Sequence, residues 1–475
     1  MLFDEQARAV PDVQTQIKYE MRTTPDGGAE FDADEMLVCA ERAMDETLAQ
    51  AGNRAIVAVA SDSLASNILG VDETGRAVTP VYTYADTRCA REVIELRARF
   101  DERVTHQRVG TLFHTSYLPA RFLWLSRERP DIFKRARYWM SLGEYFLFRW
   151  TRFAQRVCSY SVASWTGLLN RQKLSWDSEL LSAVSITVDQ LSPLVDQDTI
   201  VGMLRDEYAV RWQSLKSAKW FPTVGDGAVA NIGSGCIDSS RIALTIGTSS
   251  AVRVVTPTHP HAPSEIPWGL WAYRVSRDLE LIGGALSEGG SLFGWLVNTL
   301  HFAPGTNLEH ELAALEPDAH GLTMLPFLAG ERAPNWNADA RGAIIGLSLN
   351  TRPIEILRAG LEAVAYRLGL IFELLRGAIP NAREVIANGG ALMNSLVWTQ
   401  IITDTLGVPV IATAENEATS RGAALLALHA LGLIDSLADL PAQTGAVFTP
   451  DPVRHEIYAR ALERQKKLYN GVVGS

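Results

Sequence analysis

Apolar positions recur along the chain with two periods. Ile242, Leu244 and Ile246 alternate with Ala243 and Thr245, which predicts a strand, and residues 251–255 predict a return strand. The pair reads as a β-hairpin with Gly247-Thr248-Ser249-Ser250 at its tip. Residues 34–51 place Met36, Leu37, Ala40, Met44 and Leu48 at helical spacing. Leu357, Leu361, Val364 and Leu368 form a second helical stripe, with Thr351 as the expected N-cap. Residues 90–150 predict mainly helix, with Trp124, Trp139 and Trp150 in the core. Between the helices, residues 55–60 read as a buried strand, 61–67 as a polar loop, and 68–72 as a short strand closed by the turn Glu73-Thr74-Gly75. Residues 159–168 read as a buried strand or a close-packed turn. Residues 281–286, 325–328, 385–387 and 408–410 complete the strands.

Two of these strands run into glycine and then helix, and a third glycine-flanked helix start stands near the middle of the chain. Gly225-Asp226-Gly227 puts one carboxylate between two glycines where an apolar helical run begins. Glu288-Gly289-Gly290 and Asn388-Gly389-Gly390 repeat the passage without that carboxylate. Glycine there admits a phosphate close to backbone N–H groups, and it equally serves tight strand-to-helix packing with no ligand. The hairpin tip offers small residues and hydroxyls to a phosphate, or it is an ordinary turn. A carboxylate at a helix start beside such a tip suits a general base in phosphoryl transfer; the other reading is a turn Asp facing solvent. Asp86 and Arg88, two residues apart at the mouth of an element, suit sugar hydroxyls or a sugar acid, or else form a local surface pair.

A chain of 475 residues exceeds one hydrophobic core, so two domains are expected, 1–237 and 238–475. That boundary falls between Asp226 and the hairpin, which predicts a site in a domain cleft. The net charge of −10 disfavours nucleic acid but not an anionic ligand held by a local loop. The four cysteines, Cys39, Cys89, Cys158 and Cys236, are scattered and read as free thiols of a reducing compartment. No basic leader and no run of membrane-span length is found, so a cytoplasmic setting is expected.

Together these residues resemble the FGGY carbohydrate kinases of the actin-like ATPase superfamily. The resemblance spans nearly the whole chain. It rests on Gly225-Asp226-Gly227-Ala228, Ile246-Gly247-Thr248-Ser249, Gly342-Ala343-Ile344-Ile345-Gly346-Leu347 with the helix after it, residues 388–395 and residues 419–424, in the family's order. Residues 325–332 and Ser164-Trp165-Thr166-Gly167-Leu168 are most similar to the gluconate-kinase branch. The implied fold is α/β, two ribonuclease-H-like domains with a cleft between them. The implied cofactors are ATP and Mg²⁺, with no metal ligand assigned. By resemblance, Asp226 is the base that takes the proton from the acceptor hydroxyl. Gly247, Thr248 and Ser249 are similar to the second phosphate loop. Gly290 and Gly294 resemble the glycine-rich helix along the nucleotide, and Gly389, Gly390 and Asn394 the adenosine motif. Asp86 and Arg88 fall in the family's sugar site, with Ser66 in the loop where members often carry a His.

The family's first strand and its Asp-x-Gly-Thr loop would precede Leu2-Phe3-Asp4 and find no counterpart there. Only the second hairpin, residues 242–255, is complete. The chain as written is therefore expected to leave Leu2 and Phe3 on an exposed sheet edge, and to bind ATP and phosphorylate sugar poorly. The expected activity is ATP-dependent phosphorylation of a sugar or sugar acid. Gluconate leads, followed by xylulose, ribulose and glycerol. The alternatives are a non-catalytic nucleotide or sugar binder and an actin- or chaperone-like nucleotide switch, the latter disfavoured by Asp226. The partner is a small molecule, with no nucleic acid and no membrane; a homodimer stays open.

Overall fold

The Asp32 carboxylate accepts the N–H groups of Asp34 and Glu35 and so starts α1 (Ala33–Ala51). The chain then lays down three short strands, β1 (Ala58–Val59), β2 (Asp62–Ser63) and β3 (Leu69–Val71). A helical stretch follows, including α2 (Leu118–Glu128), and β4 (Tyr138–Met140) returns antiparallel to β3. A reciprocal Ser141/Glu144 capping box opens α3 (Leu142–Trp150). Trp124, Trp139 and Trp150 are all buried, as expected for core residues. After α4 (Tyr160–Trp165) come β5 (Lys219–Trp220), parallel to β1, and β6 (Val224–Gly225), parallel to β2. β6 runs straight into α5 (Asp226–Gly233). The computed structural model describes residues 1–152, 156–258, 265–415 and 417–473.

Several expectations for the first half are corrected. Residues 55–60 are not a buried strand: only Ala58 and Val59 pair, and both are half-buried. Residues 159–168 contain a helix, because Ser159 Oγ caps the Val162 N–H and the small, fully buried Ser161, Ala163 and Ser164 let α4 pack closely. Leu2 and Phe3 do not lie on an exposed sheet edge. The Leu2 N–H donates to the Val13 carbonyl at 3.0 Å and its carbonyl accepts from Val10 at 2.8 Å, while Phe3 bridges Ala9. Both side chains are half-buried in this local turn.

The second half is built on one seven-stranded sheet. Its strands are β7 (Arg241–Ile246), β8 (Ser250–Pro257), β9 (Trp271–Arg274) and β10 (Leu279–Leu286), then β11 (Glu384–Asn388), β12 (Val410–Thr413) and β13 (Thr444–Phe448), in the order 9-10-8-7-11-12-13. β7 pairs antiparallel with β8 and parallel with β11, so the predicted hairpin is the centre of the sheet. Both faces are covered. Ile242, Leu244 and Ile246 join the large core, while Ala243 turns to the other face with Cys236 and Ile386. One cover is α6 (Gly290–Thr299) and the 26-residue α7 (Pro353–Ala378), whose Leu357, Leu361, Val364 and Leu368 are fully buried. The N-cap of α7 is Arg352 rather than Thr351. Pro353 fixes the first helical position, Glu355 accepts the Arg352 N–H at 2.8 Å, and Thr351 Oγ1 instead accepts the Ser348 N–H.

Two of the contacts between the halves bear on the site. α5 crosses α8 (Ala418–Ala430) with almost no side chain between them. A Cβ at Gly233 would stand 1.7 Å from the Ala418 carbonyl oxygen, and one at Gly422 1.9 Å from that of Val229. The second contact is a polar seam. Arg171 pairs with Glu280 at 2.6 Å, both buried, and the Arg274 Nε donates to the Arg171 carbonyl at 2.8 Å. Tyr117 and Tyr273 join hydroxyls at 2.5 Å, and His106 Nε2 lies 2.7 Å from the Leu270 carbonyl.

Candidate active site

Asp226 is the first residue of α5, and its neighbours are glycine for a packing reason. A Cβ at Gly225 would lie 2.6 Å from Trp165 Nε1, and one at Gly227 2.6 Å from both Trp165 Cη2 and Arg253 Nη1. The indole of Trp165, itself stacked on Tyr273 with ring centroids 4.1 Å apart, therefore lies across both glycines. Asp226 accepts the Gly227 N–H at 2.7 Å and keeps a partial opening to solvent. Burial pushes its carboxyl above the ordinary Asp range, against the pull of that N–H and of the Arg253 and Arg332 charges.

Arg253 projects from β8 and is buried, with Thr245 Oγ1 at 2.8 Å as its only hydrogen-bond partner among the described residues. Asp62 lies on β2, in register with Val224 beside the start of α5. Burial first, and the Asp226 charge second, push Asp62 up to about 6. Asp62 thus holds its proton more tightly when folded than when unfolded, and ionising it costs stability progressively as pH rises from about 4 to about 6, above which the loss levels off. Asp62→Asn should therefore raise the unfolding free energy, read from urea or thermal melts, by about 1–3 kcal/mol near pH 8, with the gain shrinking toward pH 4.5. A gain of the same size at both pH values would refute this account of Asp62.

The glycines expected to line a nucleotide separate into two groups. Gly389, at φ +100°, packs on Ile246 so closely that a Cβ would sit 2.4 Å from its carbonyl oxygen, and Gly290 backs onto Gly247. A Cβ at Gly247, Gly294 or Gly390 would meet nothing within 4 Å. Hence two of these five glycines serve packing and three border open space. The hairpin tip docks on α6 through its carbonyls: the Gly290 N–H donates to Gly247 at 2.8 Å and the Ser291 N–H to Thr248 at 3.1 Å. The hydroxyls of Thr248 and Ser249 have no partner among the described residues. Asn394 is exposed, its Nδ2 donating to the Gly390 carbonyl at 2.7 Å. Glu288 is buried behind the tip, where its carboxyl, pushed up to about 7 by burial, accepts the Leu328 N–H at 3.2 Å.

The predicted acceptor-side residues are less open. Asp86 and Arg88 are a buried pair, Oδ2 to Nη2 2.5 Å, with Arg88 also bound to Glu30 at 2.9 Å and lying 4.7 Å over the Trp124 ring. The Ser66 hydroxyl is committed to the Trp165 carbonyl, and Ser66 adopts φ +50°. Ser66 thus helps hold Trp165, while the Asp86 and Arg88 charges are satisfied by each other and by Glu30.

Sequence reasoning passed over Asp62, Arg253 and the role of Arg332. A charge in the middle of an apolar strand, Val252-Arg253-Val254, was the available signal for Arg253. Among the described residues one cluster, Asp318, His320 and Glu362, has metal-ligating atoms within 4.8 Å of one another. Its carboxylates are already paired, Asp318 with Arg464 at 2.5 Å and Glu362 with Arg358 at 2.7 Å, so it is read as a structural ion-pair network. A surface recess of about 430 Å³ near Arg99, Asp101, Arg108 and Glu179 shares no residue with the cleft.

No helix among the described residues is long and apolar enough to cross a membrane. The chain is 28% identical over 464 residues to a gluconokinase of Bacillus subtilis (strain 168), covering 95% of this chain and 89% of that protein. Its fold matches the crystal structure of gluconate kinase from Lactobacillus acidophilus with a TM-score of 0.91 at 26% identity, over 100% of this chain and 95% of that one. A ligand-bound xylulose kinase from the same organism matches with a TM-score of 0.90 at 27% identity, over 100% and 95%. These are sugar kinases, and the comparisons lend no support to the non-catalytic alternative. The N-terminal domain of the FGGY family of carbohydrate kinases matches residues 1–233 and its C-terminal domain residues 242–431, so the chain belongs to the FGGY family of carbohydrate kinases, with the two-domain actin-like ATPase fold.

Proposed function

We propose that this kinase phosphorylates gluconate with ATP, acting in the cytoplasm. The observation that carries the chemistry is the carboxylate of Asp226, raised in proton affinity and held at a helix start under Trp165. A base with that placement orients the acceptor hydroxyl and takes its proton as the oxygen attacks the γ-phosphorus. The first N–H groups of α5 turn the positive end of the helix toward the transferred group. On the other side, the free hydroxyls of Thr248 and Ser249 and the open faces of Gly247, Gly294 and Gly390 fit a polyphosphate and its nucleoside. Mg²⁺ arriving with the nucleotide would neutralise phosphate charge there, with Asp62 and Asp226 as the nearby carboxylates. The seam at Arg171–Glu280 and the α5/α8 crossing act as the fixed side of a closing cleft.

Gluconate is favoured over xylulose and glycerol because gluconokinases stand among the relatives matched over most of the chain. A panel of gluconate, xylulose, ribulose and glycerol, read as ADP release, should give gluconate the highest kcat/KM. A neutral sugar equal to or above gluconate overturns the substrate, while leaving the kinase chemistry in place.

A further inference from the structure

Most buried arginines of this protein have a partner for their charge. Arg88 is held by Asp86 and Glu30, Arg358 by Glu362, and Arg367 by Glu331. Two arginines near Asp226 have no carboxylate partner among the described residues: Arg253, which donates to Thr245 Oγ1, and Arg332. The Arg332 side chain makes no ion pair and donates no hydrogen bond among the described residues, and its Nε is buried with no partner. Burying a guanidinium N–H without an acceptor is costly, so the site is built for an acceptor that is not part of the chain.

The position of Arg332 says which acceptor. It belongs to the loop after residue 325, in the second half, yet its guanidinium carbon lies 5.8 Å from the centroid of the Tyr84 ring, in the first half. Its charge reaches Asp226, His114, Tyr117 and Tyr273, which sets it near the base. The loop is rigid where it carries Arg332. Glu331 is gripped by Arg367, Asn335 and Tyr469, the Trp336 N–H donates to the Arg332 carbonyl at 2.7 Å, and the Ala333 N–H donates to Ala285 at 3.1 Å. A guanidinium presented from a fixed loop, across from an aromatic wall, matches a planar carboxylate in both charge and geometry.

We propose that Arg332 binds the carboxylate of a sugar-acid acceptor and so selects sugar acids over neutral sugars; this rests on the gluconate reading above. The other anion in the cleft is the γ-phosphoryl group, and kinetics separate the two. The test compares gluconate with glucitol, the same carbon chain carrying a hydroxymethyl group in place of the carboxylate, in the parent protein, Arg332→Gln and Arg332→Lys. Losing a charge-assisted contact of this kind should raise the gluconate KM about 10- to 100-fold. The ATP KM should move less than about twofold, Arg332→Lys should recover part of the loss, and the preference for gluconate over glucitol should collapse in Arg332→Gln. Thermal midpoints of all three forms check folding. If the ATP KM rises, or kcat falls equally for both acceptors, Arg332 serves the phosphoryl group and the proposal is overturned. If the parent protein prefers gluconate and Arg332→Gln keeps that preference, this assignment alone falls. If the parent protein does not favour gluconate at all, the substrate reading falls and this assignment with it.

Discussion

Asp226→Asn is expected to remove sugar phosphorylation while leaving nucleotide binding nearly intact. The side chain keeps its size and its hydrogen bond from Gly227, so α5 should start as before and Trp165 should still lie across the flanking glycines. What disappears is the proton acceptor, whose loss costs about 10²–10⁴-fold. The groups left for the nucleotide, the Thr248 and Ser249 hydroxyls and the open side of α6, belong to other elements. Sugar-dependent ADP release and a nucleotide titration, run side by side, check both halves of the statement. Turnover close to that of the parent protein would remove Asp226 from the role of base.

Gly422→Ala is expected to be among the most destabilising single-methyl changes available in the chain. The new Cβ would stand 1.9 Å from the Val229 carbonyl oxygen, and the obstacle is backbone on both sides, so no rotamer change relieves it. Overpacking of that kind costs about 3 kcal/mol, or roughly 6–12 °C in midpoint at this domain size. Because α5 begins at Asp226, pushing the helices apart also displaces the base, so kcat should fall in the fraction that remains folded. Gly377→Ala is the control: its Cβ meets nothing within 4 Å, and alanine suits a helix better than glycine. If Gly422→Ala melts with the control, the helices are not in the contact described.

Much of this was legible in the sequence, and the reasons are specific. The β7/β8 hairpin declared itself because a strand covered on both faces still alternates large and small residues, Ile242 and Leu244 against Ala243. Gly225-Asp226-Gly227 was conspicuous because two glycines around one acid are costly in a helix start unless something occupies their Cβ space, and that something is Trp165. The first half was harder to read. Residues 55–60 have a strand's composition but pair over two residues only, and residues 159–168 became a helix because Ser159 caps it and small residues fit a crowded site. Asp86 and Arg88 were visible as a pair, but not that Glu30 and Trp124 close around them. Asp62, Arg253 and Arg332 gather at Asp226 from distant points of the chain, and spacing along a sequence carries no trace of such a convergence.

The unequal sheets of the two halves bear on how the molecule breathes. Strands of two residues, β1 with β5 and β2 with β6, hold their backbone hydrogen bonds by few neighbours, whereas β7 sits inside a seven-stranded sheet. Local opening follows such differences. Deuterium from solvent should therefore enter the amides around Asp62 and Val224 well before those of Leu244 and Ile386. On the proposed function, the floor under the acceptor is then the part of the protein that a bound sugar must still, while the nucleotide meets a surface already quiet. Filling the acceptor site would slow isotope uptake in the first half most, which turns the weakest pairing of the fold into its own occupancy gauge.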